Sequence, residues 1–174
     1  MSTKFVYALI LTISGAVLNL LLYFTGYQTE KLATGQYLQW IGFVIMIVVL
    51  WLGIKAVREE SSQQSLTYGQ CLGTGVLISL YSGLMSSVYS YIHFKFVNPN
   101  FADYQLELIR AKWAAAGMSD AQMEKAEGFT RMMMGPGVQA VMTPIMVVLI
   151  GLVISLIIAA FLKRNPPDEI KATA

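Results

Sequence analysis

Few side chains in this 174-residue sequence could do chemistry, and they do not gather. The one thiol, Cys71, and the one imidazole, His93, share a long apolar stretch with no acid or base between them. A metal centre needs three or four ligands at matched spacing, and general acid–base work needs a poised pair. His93 has Tyr89, Tyr91, Phe94 and Lys95 for neighbours, which suits an interfacial or packing histidine better than a ligand. Met132-Met133-Met134 offers thioethers, the soft donors that select copper. Adjacent helical residues point about 100° apart, so the three cannot converge on one ion, and they read as flexible apolar anchors. Lys55 and Arg58, beside Glu59 and Glu60, form a charged helix end and are candidate contacts for lipid headgroups. No phosphate-cradling glycine loop, nucleophile elbow or zinc spacing occurs. No catalytic residue, cofactor site or metal site is assigned, and a non-enzymatic protein is expected.

The elements that carry these residues are apolar throughout. Stretches over 5–24, 38–54, 68–94 and 138–162 are near or above the roughly 20 residues that cross a bilayer core of about 30 Å. Hydrophobic residues make up 56% of the chain and charged ones 13%, about half the usual charged share of about 25%. The expected fold is an all-α integral membrane bundle of four transmembrane helices. The first stretch follows Lys4, exceeds a signal-peptide core and lacks a small-residue cleavage site, so it reads as an uncleaved span. A net charge of +2, scattered, excludes a nucleic-acid footprint, and a lone cysteine excludes an internal disulfide.

Between the spans, Tyr27–Gln36 reads as a short connection and 98–136 as an extramembrane insert of two short helices. Asn98 is placed to cap the first, with Pro99 at its first position and Gly117 as terminator. Ser119 with Gln122 forms a capping box for the second, and Gly135-Pro136-Gly137 ends it. Both are amphipathic and belong on the membrane surface or the end of the bundle. Residues 165–174 form a polar tail. Four crossings put Lys4, Lys55, Arg58, Lys163 and Arg164 on one side with both termini, which favours the cytoplasm for that side.

Small residues recur at helical spacing inside the spans. Gly75, Ser79, Gly83 and Ser87 repeat every fourth residue, flanked by Ser82, Ser86 and Ser90 and preceded by Gly69 and Gly73. Gly151, Ser155 and Ala159 repeat the device in the fourth span, as do Ala8, Thr12 and Ala16 in the first. In lipid, such rows let helix backbones approach closely. They are the expected helix-packing residues, and Pro144 is expected to kink the fourth span.

Gly53-Ile54-Lys55 with Arg58-Glu59 closes the second span, and Thr67-Tyr68-Gly69-Gln70 opens the glycine-rich third. An aromatic run into Phe96-Val97-Asn98-Pro99-Asn100-Phe101 follows, and Gly117-Met118-Ser119 separates the later helices. In this order the motifs resemble the bacterial membrane family called domain of unknown function 4199, over almost the whole chain. The turn at Glu60–Ser65 departs from the family's pattern. The resemblance implies a small four-helix protein of the inner membrane in Gram-negative bacteria; it brings no activity and no catalytic residues.

Abundant packing rows and scarce reactive groups point first to a structural or accessory subunit. Its expected partners are membrane lipids and another membrane protein or a second copy, with no nucleic acid. An accessory or lipid-carrier-binding protein for membrane glycolipid chemistry is the alternative, and a small transporter or channel comes third.

Overall fold

The computed structural model describes residues 1–61 and 63–165; Ser62 and the rest of the polar tail lie outside the described residues. Its order is α1 (Thr3–Phe24), α2 (Leu32–Leu38), α3 (Trp40–Glu60), α4 (Tyr68–Ile92) with a π-helical turn (His93–Val97), α5 (Phe101–Ala115), α6 (Asp120–Met133) and α7 (Pro136–Leu162). Four helical bodies are long and apolar enough to cross a membrane: Thr3–Phe24, Leu32–Glu60, Tyr68–Val97 and Pro136–Leu162. The fold is all-α, and the chain is a membrane protein by the length and apolarity of these helices.

The apolar side chains of the long helices are distributed as lipid requires. Ile13, Val17, Val44, Val48, Leu84, Val88, Val141, Val153 and Ile157 all face outward. Exposed aliphatic belts of this kind are incompatible with a water-facing surface and normal for a lipid-facing one. The interior holds Leu50, Ile54, Cys71 and Ile78 with almost no exposed surface, and Cys71 is packed as a small hydrophobe.

The seam between α4 and α7 is the closest helix approach. A Cβ placed on Gly75 would lie 2.1 Å from Ser155 Oγ, and one on Gly151 would lie 2.0 Å from Ser79 Oγ. Further along, a Cβ on Gly83 would meet Pro144 Cα at 3.0 Å, and Ser87 Oγ donates to the Ala140 carbonyl at 2.6 Å. Gly75, Ser79, Gly83 and Ser87 thus meet Ser155, Gly151, Pro144 and Ala140 in antiparallel order, and Ala159 is fully buried nearby. Helix α1 packs on α4 and α3, with Ala8 buried and Thr12 Oγ1 at 3.1 Å from Ser82 Oγ. Gly53 of α3 sits against Tyr7 and Ile78, where a Cβ would come within 2.7 Å of Ile78 Cδ1. Gly69 and Gly73 do not share this role, since a Cβ on either meets nothing within 4 Å.

One end of the bundle gathers the start of α1, the end of α3, the start of α4 and the end of α7. Thr3 bonds Glu60 there, and Arg164 N donates to the Leu66 carbonyl at 2.8 Å. Arg58, expected at the headgroups, turns Nη1 onto the Leu162 carbonyl at 3.1 Å. The last turn of α7 leaves carbonyls without intrahelical partners, and Arg58 satisfies one of them. Lys55 stays exposed, 3.8 Å from Glu59. Gln70 belongs to this end as well: its Oε1 accepts from Thr67 N at 2.9 Å, closing a capping box on α4.

The other end departs from the expected short connection. Leu32–Leu38 is helical, anchored by buried Leu32, and Gly35 lets it close on the Tyr27 carbonyl, which a Cβ would approach to 1.8 Å. Asn98 does not cap α5. Its N–H closes the π turn on the His93 carbonyl at 2.8 Å, its side chain is buried, and α5 begins after Asn100. The α5–α6 pair carries the Arg110–Glu127 and Arg131–Asp103 ion pairs on its surface, while Met132 and Met133 are exposed.

Candidate functional site

The residues that gather at this second end are carboxamides. Asn19 comes from the last turns of α1, Gln28 from the following loop, Gln39 from the α2–α3 junction, Gln105 from α5 and Gln139 from the first turns of α7. They line a cavity of about 480 Å³, together with Gly15, Leu18, Leu22, Gly42, Phe94, Phe101 and Met134. None of the lining residues is charged. A smaller space of about 190 Å³ shares Gly15, Asn19 and Phe94 with it and runs inward to Ser86, Tyr89, Ser90, His93 and Thr143.

The π turn positions this wall. It carries one extra residue per turn and so brings His93 inward, beside cavity-lining Phe94; such turns recur at functional sites. The Phe94 and Phe101 rings lie 4.7 Å apart between centroids, tying the π turn to the start of α5.

Behind the cavity, a chain of polar groups holds the end of the bundle together. Gln28 Nε2 donates to Asn19 Oδ1, and Gln28 Oε1 lies 3.0 Å from His93 Nε2. On the far side of the imidazole, Nδ1 is 3.2 Å from the Tyr89 hydroxyl, whose one proton is shared between Nδ1 and the Ala16 carbonyl 3.1 Å away. Asn98 Nδ2 donates to the Gln28 carbonyl at 3.4 Å. Gln28, His93 and Asn98 are each at least 96% buried. Buried polar groups of this kind stabilise a fold only while they remain paired. His93→Ala removes the partner of Gln28 Oε1 and one of the two partners of the Tyr89 hydroxyl, and should cost about 1–3 kcal/mol. Thermal unfolding in micelles reads this loss, and an unchanged melting curve would show that the network holds nothing.

Both ring nitrogens of His93 have protein partners, so the imidazole is a strut here rather than an exposed base or ligand. Of the interfacial and packing readings its sequence neighbours allow, His93 takes the packing one. Its main partner, Gln28, is 65 residues away. Among the described residues, no cluster of three His, Cys, Asp or Glu side chains could hold a metal ion. The packing residues Gly75, Ser79, Gly83, Ser87, Gly151, Ser155 and Ala159 lie along the α4–α7 seam, and Lys55 and Arg58 lie at the opposite end of the bundle. None of them lines the cavity. The sequence signal for the cavity is the recurrence of the carboxamides Asn19, Gln28, Gln39, Gln105 and Gln139 in elements that meet at one end of the bundle, and no local motif marks them.

These features define a small polytopic helical membrane protein with an interlocked helix pair and an uncharged polar cavity at one end. The chain belongs to the family described as protein of unknown function (DUF4199), which it matches over residues 6–164. No curated protein and no solved structure matches it.

Proposed function

We propose that this is a non-enzymatic protein of the bacterial inner membrane that acts by binding, as an accessory to another membrane component. Both termini lie in the cytoplasm in this reading. Lys4, Lys55, Arg58, Lys163 and Arg164 crowd into short segments beside the span ends at the terminal end, whereas the basic residues of the opposite end are spread over a longer stretch. The cavity then opens away from the cytoplasm.

One observation carries the binding reading: a cavity walled by carboxamides and aromatic rings, backed by a rigid buried network. Carboxamides donate and accept hydrogen bonds but exchange no protons near neutral pH, so they recognise rather than transform. The cavity also has the size of small-molecule sites, which run from about 300 to 1,000 Å³. This favours the lipid-binding form of the accessory role, because apolar Leu18, Leu22 and Met134 line the same space as the amides.

Extraction of the protein from its native membrane in polymer-bounded discs tests this reading. A lipid or partner protein should accompany it in near-stoichiometric amount. Discs holding the chain alone, with lipids in the proportions of the surrounding membrane, would overturn it.

A further inference from the structure

The cavity's chemistry selects a class of ligand. Resting on the binding role just argued, we infer that it takes an uncharged, hydroxyl-rich group, such as a sugar. No Lys, Arg, Asp or Glu lines either part of it. A phosphate or carboxylate would leave water there without a cationic partner, and an amine without an anionic one, and unpaired burial of charge is costly. The helix ends do not supply the missing charge. Helices α1 and α2 end and helices α3, α5 and α7 begin at this cavity, so partial charges of both signs meet there.

Hydroxyls fit the lining on positive grounds as well. A hydroxyl both donates and accepts, and a carboxamide presents an oxygen acceptor beside two N–H donors. Among the described residues, the side chains of Gln39, Gln105 and Gln139 and the Asn19 Nδ2 group make no hydrogen bond to protein. They remain available to several hydroxyls at once. Phe94 and Phe101 supply the flat apolar surface on which the C–H face of a sugar ring rests. The smaller space adds the Ser86, Ser90 and Thr143 side chains.

Gly15 separates ligand binding from folding. It lines both spaces, and a Cβ there meets no atom within 4 Å. Its lack of a side chain keeps the cavity open and serves no close helix contact. A leucine at this position starts from that open point and places its side chain in the cavity space.

The sugar could be a lipid headgroup or free in the water outside, and the experiment separates the two. Native mass spectrometry is run on protein in phosphatidylcholine discs containing either monoglucosyl diacylglycerol or phosphatidylglycerol. Methyl glucoside is added to lipid-only discs in a third arm. The expected result is one glucosyl lipid per chain, bound about tenfold more than phosphatidylglycerol. Gly15→Leu and, separately, Gln139→Leu should each remove it by about the same factor, with melting unchanged in whichever variant folds. Methyl glucoside binding that vanishes in these variants would support the same chemistry with an aqueous source. Phosphatidylglycerol binding that is lost with Gly15→Leu would overturn the neutral class while leaving the binding role in place. No adduct from any probe, or adducts indifferent to both variants, would overturn the inference.

Discussion

Gly151→Ala should destabilise the bundle by about 2–3 kcal/mol, and adding Ser79→Gly should restore most of that loss. The new Cβ would lie 2.6 Å from Ser79 Cβ and 2.0 Å from its Oγ, separations that only a shift of one helix relieves. Helices in lipid gain little by hiding apolar surface from one another, so close packing carries the association and a forced gap is felt directly. Removing the Ser79 side chain takes away the two nearest atoms and leaves the mobile tip of Met46, at 3.0 Å, as the nearest. The pair therefore behaves as a lock in which either partner, but not both, carries bulk. Reversible unfolding in mixed micelles measures it. Gly73→Ala is the internal control: its Cβ meets nothing, and it should gain about 0.5–1 kcal/mol from helix propensity. Failure of Ser79→Gly to rescue would mean that α4 and α7 do not meet at these residues.

Gly35→Ala should cost about 3 kcal/mol or more and loosen the cavity end selectively. Here the obstacle is backbone: the Tyr27 carbonyl oxygen at 1.8 Å and its carbon at 2.8 Å. Neither can rotate away as a side chain would, so α2 or the loop before it has to move. Tyr27 precedes Gln28, which links Asn19, His93 and Asn98. Hydrogen exchange should therefore rise at residues 26–31 and 93–98 and stay slow at 151–159 in the α4–α7 seam. Equal exchange in both regions of variant and parent would contradict the coupling.

The spans could be read from sequence because their apolar runs leave no alternative in water. The four-residue period of Gly75 to Ser87 likewise marks a face fit for close contact. Which residues that face would meet was not readable, since the antiparallel offset of α7 depends on the length of the intervening insert. His93, readable as interfacial or packing, is the packing residue, and what the sequence hides is its partners. Its surroundings in sequence are interfacial, and the partner that buries it sits in a loop whose own residues, Gln28 and Thr29, look merely polar. Asn98-Pro99 carries the usual signature of a helix start, and the local rule lost to a tertiary one: burying Asn98 against the Gln28 carbonyl. Leu32–Leu38 looked like a connection because Ala33, Thr34, Gly35 and Gln36 show no periodic apolar face. Its helicity rests on the buried Leu32 and on the approach that Gly35 permits. Arg58 adds a contact that its sequence neighbours do not announce, with Nη1 on an open carbonyl of α7. At Asn98 a long-range contact overrode the local reading, and at Leu32–Leu38 a close backbone approach did.

The central claim is that a bundle lodged in lipid keeps one wet, uncharged chamber at the end away from its termini. Charged, water-soluble thiol reagents report on this directly when single cysteines are placed in protein held in lipid discs, because native Cys71 is fully buried and silent. Gly15→Cys and Gln139→Cys should react, while Val17→Cys and Val153→Cys, half or more exposed yet facing lipid, should not. An inert Gly15→Cys, or a Val17→Cys that reacts as quickly, would contradict it.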